Sequence, residues 1–167
     1  MAKRHDALIP LSHDHQKALM LAFRLTHPAP PGPVTPTTPA STPQQRRDEV
    51  LAFFEHHLLE HFAIEEEILF PVLRAACAHD AAACGLIDAL CEDHRRMHGL
   101  RDRIASAPDG DELESGLEEF GRLLESHVRR EEREMFAAFP AGVTEEDVRS
   151  LHERIHARRP PDQPRRR

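Results

Sequence analysis

Histidine and glutamate residues recur in this sequence at spacings that place them on the apolar faces of predicted helices. In the segment EHHLLEHFAIEEEILF, residues 55–70, apolar residues follow a helical rhythm, but His61 and Glu65 occupy two positions of the apolar stripe. His127 and Glu131 repeat the same spacing. Residues four apart lie on one helix face, with Cβ atoms about 5–6 Å apart, so each pair can direct an imidazole and a carboxylate at one point.

Two other predicted helices place histidines on their inner faces. His15 lies on the first helix, and His94 lies on the third helix with His98 one turn further on. His13 is close to His15, but on a helix it points about 160° away, so we take His15 as the inward residue. All four helices of the predicted core therefore carry imidazole or carboxylate groups.

Burying these groups without a counter-charge would be costly. An ionised carboxylate buried without a partner costs at least several kcal/mol, whereas a whole domain is stable by only about 5–15 kcal/mol. The helices could instead face water at these positions, or the side chains could form a hydrogen-bonded His–Glu network. Because all four helices carry the polar residues in matching register, we favour a bound metal, which requires deprotonated ligands.

The number of donors indicates more than one metal ion. Seven donors are too many for one tetrahedral zinc ion. Five imidazoles and two carboxylates suit two octahedral ions bridged by the carboxylates, and nitrogen and oxygen donors without a thiolate favour iron. The predicted ligands are His15, His61, Glu65, His94, His98, His127 and Glu131.

Periodic apolar positions predict four helices and a weaker fifth that hold these residues. The first, second, fourth and fifth helices cover about residues 12–26, 44–78, 108–139 and 144–158, and the third begins between residues 80 and 86 and ends near residue 107. Ser12 and Thr144 are the expected N-caps of the first and fifth helices, and Pro71 should kink the second. The sequence has no strand pattern and no glycine-rich phosphate loop, so we predict an all-α four-helix bundle with a short additional C-terminal helix.

The chain is expected to form one domain over residues 1–160, since 167 residues suffice for one sizeable core. Residues 27–45 form a proline-rich connection between the first two helices, and residues 160–167 form a basic tail that we predict to be disordered.

Composition and charge argue against several classes of partner. The formal charge of −7 disfavours nucleic acid. No segment approaches the roughly 20 apolar residues of a membrane span, and the N-terminus lacks a secretory apolar run, so a cytoplasmic location is expected. Cys77, Cys84 and Cys91 are odd in number, which argues against a closed disulfide framework, and we interpret them as small buried apolar residues.

Four segments together resemble the hemerythrin-like family, also called the HHE cation-binding domain. They are LSHDHQKAL, HFAIEEEILFP, CEDHRRMH and HVRREEREMF, within about residues 8–140. The resemblance implies an up-down-up-down bundle holding two non-haem iron ions, oxo- or hydroxo-bridged, that bind dioxygen or related small ligands. It also implies that the five histidines are terminal ligands, three on one iron and two on the other, that the two glutamates bridge, and that one position stays open for O2.

Three residues close to the predicted ligands, namely Glu132, His57 and Cys91, could have other roles in the centre. Glu132 could replace Glu131, because some members of the family use a spacing of five in that helix. His57 could be an extra ligand, but we favour a role that supports a ligand from behind or covers the bundle end. Cys91 lies about one turn from His94, where it could take part in redox turnover.

The expected function is reversible binding of O2 or NO by a carrier, store or sensor. The histidine-rich ligand set leaves one coordination position free and supplies no obvious acid–base group beside it. The alternatives are a di-iron redox enzyme that reduces peroxide or NO, and a regulator in iron or redox stress. Whether the chain is an enzyme stays open, and the sequence has no legible motif for a protein partner.

Overall fold

The helices occur in the predicted order in a computed structural model, which describes residues 8–28, 42–136 and 143–158. The α-helices are α1 (Ile9–Thr26), α2 (Pro43–Phe53), α3 (Leu59–Ile64), α4 (Phe70–Ala76), α5 (Ala81–Ser106), α6 (Asp111–Arg130) and α7 (Glu145–Arg158). No strand occurs among the described residues, and the prediction of an all-α fold is confirmed. Residues 29–41 of the proline-rich connection and the whole basic tail lie outside the described residues.

Three π-helical segments interrupt the α-helices. They are π1 (Phe54–Leu58), π2 (Glu65–Leu69) and π3 (Glu131–Met135). The run from Pro43 to Ala76, which includes π1 and π2, forms one continuous rod that we call the second rod. We call α1 the first rod, α5 the third rod, and α6 with π3 the fourth rod. Pro71 lies in the first turn of α4, directly after π2, where regular α-helical hydrogen bonding is already interrupted.

Side-chain caps fix the starts of three helices. At the start of α2 the Thr42 hydroxyl accepts a hydrogen bond from the backbone N–H of Gln45 at 3.2 Å. The Asp80 carboxylate accepts hydrogen bonds from two backbone N–H groups in the first turn of α5, at 3.0 and 3.1 Å. The Thr144 hydroxyl accepts a hydrogen bond from the backbone N–H of Asp147 at 3.1 Å, which confirms Thr144 as a cap. The prediction that Ser12 is an N-cap is wrong, because α1 begins at Ile9 with a proline in its first turn.

The four rods form the predicted up-down-up-down bundle. Ion pairs join the end of one rod to the start of the next: Arg24–Glu49, Arg74–Asp88 and Arg103–Glu119. Consecutive rods therefore run antiparallel. The first rod also packs against the fourth, and α7 packs on π2. Among the described helices, none has the length and apolarity that a bilayer span requires.

The apolar core consists of two clusters. The larger cluster contains residues such as Phe54, Met97 and Phe120, and the smaller one contains residues such as Leu69 and Leu151. Along each rod, the inward histidines and glutamates lie between the residues of these two clusters. The polar layer is therefore enclosed on both sides by apolar side chains.

Gly121 allows α1 and α6 to approach each other closely. A Cβ atom at this position would lie 2.9 Å from the Cβ of Leu25 and 3.1 Å from the carbonyl oxygen of Ala22. That oxygen belongs to the backbone of α1, so it can move away only if the helices separate. At Gly99, an exposed position inside α5, an added Cβ would have nothing within 4 Å.

We expect Gly121→Ala to destabilise the protein by about 1–3 kcal/mol, because the added methyl group overpacks the helix contact. Gly99→Ala is the matched control and should stabilise the protein by up to about 1 kcal/mol, because alanine favours a helix interior. Guanidinium denaturation followed by circular dichroism measures both changes. Similar small effects at the two positions would contradict the close approach of the helices.

Candidate metal centre

Six of the seven predicted ligands meet in the middle of the bundle as two overlapping groups. The first group consists of His15, His61, Glu65 and Glu131, and the second group of Glu65, His94, His127 and Glu131. Within each group, one nitrogen or oxygen atom of every residue lies within 4.8 Å of all the others. All six side chains are buried, and the relative exposure of Glu65 and of Glu131 is 0%. Both carboxylates belong to both groups.

The two shared carboxylates occupy equivalent backbone positions. Glu65 is the first residue of π2, and Glu131 is the first residue of π3. In each case the glutamate carbonyl accepts a hydrogen bond from the backbone N–H five residues later, that of Phe70 or Phe136. Such π segments are rare and frequently occur at functional sites. The second and fourth rods therefore share one local distortion at the point where each presents its carboxylate.

The donor atoms in each group converge on a common point. The Nε2 atoms of the two histidines lie 3.2 Å apart in the first group and 3.3 Å apart in the second. Carboxylate oxygens lie 3.1–3.4 Å from these nitrogens, yet none of the four oxygens of Glu65 and Glu131 has a hydrogen-bond partner. Two ligand atoms about 2.1 Å from one ion and roughly at right angles lie about 3 Å apart. The donors therefore fit a metal ion in each group.

Each of the four histidines directs its other ring nitrogen, Nδ1, at a second carboxylate. The pairs are His15–Glu132 at 2.7 Å, His61–Asp14 at 3.3 Å, His94–Glu66 at 2.6 Å and His127–Asp93 at 3.6 Å. We call Asp14, Glu66, Asp93 and Glu132 the outer carboxylates. The first three distances are those of hydrogen bonds, and the fourth is too long for one. An Nδ1–H that faces a carboxylate leaves the Nε2 lone pair available to a cation, and such partners orient metal-binding histidines.

The outer carboxylates form a closed cycle around the bundle. Asp14 on the first rod contacts the histidine of the second rod, and Glu66 on the second contacts the histidine of the third. Asp93 on the third faces the histidine of the fourth, and Glu132 on the fourth contacts that of the first. Every rod thus supplies one histidine to the centre and one carboxylate to its neighbour's histidine. A shift of any rod would therefore disturb two histidines.

The charges of the buried groups change their affinity for protons in the metal-free chain. Burial lowers the pKa of His15 and of His61, but the nearby carboxylates outweigh this effect and raise these values to about 9 and about 10. Burial raises the pKa of Glu65, but the charges of His61 and His94 hold it well below its usual range. Protons on His15 and His61 therefore compensate the buried carboxylates when no cation is bound, and a metal ion would have to displace them.

The structure does not bring His98 into either group. Its side chain is exposed, and its ring centre lies 4.9 Å from that of Phe54. A spacing of four residues places His98 on the same face of α5 as His94 but about 6 Å further along the axis, which is beyond the polar layer. The geometry therefore joins four imidazoles where the sequence predicts five.

The three residues with alternative roles lie around the two groups. Glu132 stands outside them, where its carboxylate accepts hydrogen bonds from His15 and from Ser12. His57 lines a small cavity beside the first group. Cys91 is half-buried and belongs to neither group.

Three of the outer carboxylates, namely Asp14, Glu66 and Asp93, were not predicted from the sequence. Each adjoins a predicted ligand in the sequence, as in Asp14-His15, Glu65-Glu66 and Asp93-His94. Successive residues on a helix point about 100° apart, so a residue next to an inward ligand can face the neighbouring rod. The available signal was therefore an acidic residue beside one inward residue on each rod, namely beside His15, Glu65, His94 and Glu131.

Four helical rods that direct imidazoles and carboxylates to one buried layer define a metal-binding helical-bundle protein. A family model described as the hemerythrin HHE cation binding domain matches residues 7–139. The chain therefore belongs to the hemerythrin HHE cation-binding domain family, as the sequence segments suggested. No curated protein and no solved structure matches the chain.

We expect Glu131→Gln to lose more than about half of the bound metal, because this carboxylate is shared by both groups and its replacement is neutral. Glu134→Gln is the matched control, since Glu134 lies on the same π segment but is exposed. Metal analysis after dialysis, with circular dichroism to verify folding, measures the change. Full metal content in a folded Glu131→Gln variant would contradict the assignment.

We expect Glu66→Gln to weaken metal binding by about tenfold, because the charge that orients and polarises His94 through Nδ1 is removed. Glu67→Gln, at the next position, is exposed and should leave the affinity unchanged. Competition with a chromophoric chelator gives both affinities. If the two variants bind metal equally, the outer carboxylate has no role in holding the histidine.

The metal-free protein should become less stable as the pH rises. His15 and His61 have folded-state pKa values of about 9 and about 10, above the ordinary value of 6.5. The stability that these two protonated histidines contribute to the folded state is therefore complete below pH 6.5, and it is lost as the pH rises through 9 to 10. Denaturant midpoints of chelator-treated protein across this range measure the effect, with metal-loaded protein as the control. A flat profile in the metal-free protein would disprove the protonated arrangement.

Proposed function

We propose that the chain holds two iron ions side by side and uses them to bind O2 or NO reversibly. In this proposal the first ion is bound by His15 and His61 and the second by His94 and His127, while Glu65 and Glu131 bind both. The observation that carries the proposal is that the two donor groups share both of their carboxylates. Two separate metal sites would not require the same two side chains.

The donor chemistry supports iron among the common metals. Each group offers two imidazole nitrogens and two carboxylates, and no thiol takes part in either. Imidazole suits iron, zinc and copper, and carboxylates with imidazoles are typical of non-haem iron sites, whereas sulfur donors favour copper(I) or iron–sulfur clusters. Four protein donors on each ion leave room in an octahedral shell. An iron pair with open positions supplies an electron-rich centre for a diatomic ligand.

The space beside the centre favours a very small ligand. A cavity of about 10 Å³ lies against His15, His61 and His127. Its walls are otherwise mainly apolar and include Ala18, Phe53, Leu58, Phe62, Leu124 and Val128. This volume is about the least that one water-sized molecule needs, so an organic substrate would not fit without rearrangement. The apolar walls also disfavour an ionic ligand, which supports O2 or NO as the partner.

One observation favours the second candidate function, reduction of peroxide or NO. His57 lines the same cavity, so a titratable side chain lies close to the position that a ligand would occupy. An imidazole at this place could deliver a proton to a bound ligand, which a simple carrier does not require. Turnover is therefore the property that separates the two functions.

Spectroscopy of the reduced protein tests the proposal. We expect the purified chain to hold about two iron ions and, after anaerobic reduction, to form a coloured adduct with O2 or NO that disappears when the gas is removed. The chain has no Trp and no Tyr, so near-ultraviolet bands of the centre stand on a low background. Repeated consumption of peroxide or NO, slowed by His57→Leu, would instead identify an enzyme. A folded chain that binds no iron would overturn both functions.

A cavity variant provides a sharper test of ligand access. Ala18→Val should reduce the rate of adduct formation without loss of metal, because Ala18 lines the cavity and supplies no ligand. Ala22→Val is the control, since Ala22 is buried four residues further along the same helix and does not line the cavity. Stopped-flow mixing with O2 or NO measures the rates. Equal rates in the two variants would show that the ligand enters elsewhere.

A further inference from the structure

Two cysteines that play no part in the metal centre lie close together at the turn between α4 and α5. The Sγ atoms of Cys77 and Cys84 are 3.5 Å apart. Cys77 directly follows α4 as its C-cap residue, and Cys84 lies in the first turn of α5. The sequence analysis treats both as small buried apolar residues. The structure instead places two half-buried thiols in direct contact.

The surroundings of the pair leave it open to small reagents. Of the six residues between the two cysteines, the first five, residues 78–82, are exposed, and Ala83 is half-buried. The Cys84 thiol donates a weak hydrogen bond to the carbonyl oxygen of Cys77. The Cys84 sulfur therefore points back across the turn toward Cys77. In a disulfide the two sulfurs are about 2.05 Å apart, so the thiols must approach by about 1.5 Å, a movement that rotation of the two side chains can supply.

We propose that Cys77 and Cys84 form a reversible intramolecular disulfide when the protein meets a hydroperoxide. In the first step one thiolate attacks the O–O bond of hydrogen peroxide, which yields a sulfenic acid and water. In the second step the other thiol displaces that hydroxyl group, which forms the S–S bond and releases a second water. Two thiols thus give two electrons and two protons to one peroxide, and two waters leave.

The environment of Cys77 sets how readily the pair reacts. Burial raises the pKa of the Cys77 thiol, and the hydrogen bond with Cys84 adds to this effect. Since the thiolate is the reactive form, oxidation should accelerate as the pH rises above neutrality. The pair would therefore respond to sustained peroxide rather than to traces of it.

The position of the pair gives the disulfide a structural consequence. It would close a loop of eight residues between the second rod and the third rod. The second rod carries Glu65 and Glu66, and the third carries the histidine that Glu66 contacts. The bond would therefore restrain two neighbouring rods of the metal centre at their shared end.

Thiol mapping of the full chain tests this proposal. The protein is treated with hydrogen peroxide, the reaction is stopped with catalase, and free thiols are alkylated in denaturant. We expect the number of alkylated cysteines to fall from three to one, with a Cys77–Cys84 linked peptide that dithiothreitol removes. The experiment is performed on chelator-treated and on iron-loaded protein, and the disulfide should form in both, so its test is independent of the function of the metal centre.

Matched variants complete the experiment. Cys77→Ser and Cys84→Ser should each abolish the linked peptide, whereas Cys91→Ser should retain it, because Cys91 is the third cysteine and lies outside the pair. The oxidised wild-type protein should also melt about 5 °C above the reduced protein. The proposal would be overturned if Cys91 were oxidised before the pair, if the disulfide linked two chains, or if all three thiols stayed unreacted. Equal melting temperatures of the oxidised and reduced proteins would contradict the predicted restraint of the two rods.

Discussion

The structure depends on the burial of two carboxylates, Glu65 and Glu131, at the centre of a helical bundle. Neither side chain is exposed, and none of their oxygens has a hydrogen-bond partner. An uncompensated charge at such a place would cost a large part of the stability of a domain. Four imidazoles surround the carboxylates, whose charge can be balanced in two ways, either by protons on His15 and His61 or by a cation that all four imidazoles would help to bind. The arrangement of all four rods follows from the need to keep those imidazoles in place.

The polar layer repeats the same pattern in the two halves of the chain. The first half contains Asp14-His15 on the first rod and His61 with Glu65-Glu66 on the second rod. The second half contains Asp93-His94 on the third rod and His127 with Glu131-Glu132 on the fourth rod. In both halves the first glutamate starts a π segment. Each rod also has one outer carboxylate, next to an inward residue, that faces a histidine on the next rod. Each half supplies two histidines and one shared carboxylate. This repetition is consistent with the proposed pair of metal ions, because each half brings two imidazoles and the two donor groups share both carboxylates.

The sequence predicted the helices and their inner faces because burial periodicity on a helix is a local property. In the fourth rod, for example, apolar residues, His127 and Glu131 recur every three or four positions in the sequence, and all of them are buried: Leu117, Phe120, Leu124, His127, Glu131 and Met135. The spacing of residues shows which face of a helix they share, but it does not show at which height along the helix axis the metal centre lies. His98 therefore shares a face with His94 but does not reach the two donor groups. The spacing also does not determine contacts between rods, so the partners of the histidines were not predicted. The start of α1 was misplaced because a proline, and not the serine, marks its first turn.

The two halves are equivalent in pattern but not in their surroundings. The cavity touches both histidines of the first group, His15 and His61, but only His127 of the second. The His94 ring of the second group is covered by the Phe62 ring, whose centre lies 3.9 Å away in a stacked arrangement. The cavity therefore lies mainly against the first group. We infer that, in the proposed di-iron centre, the open coordination position would face this cavity, where an apolar wall and His57 would together decide whether a bound ligand leaves unchanged or receives a proton.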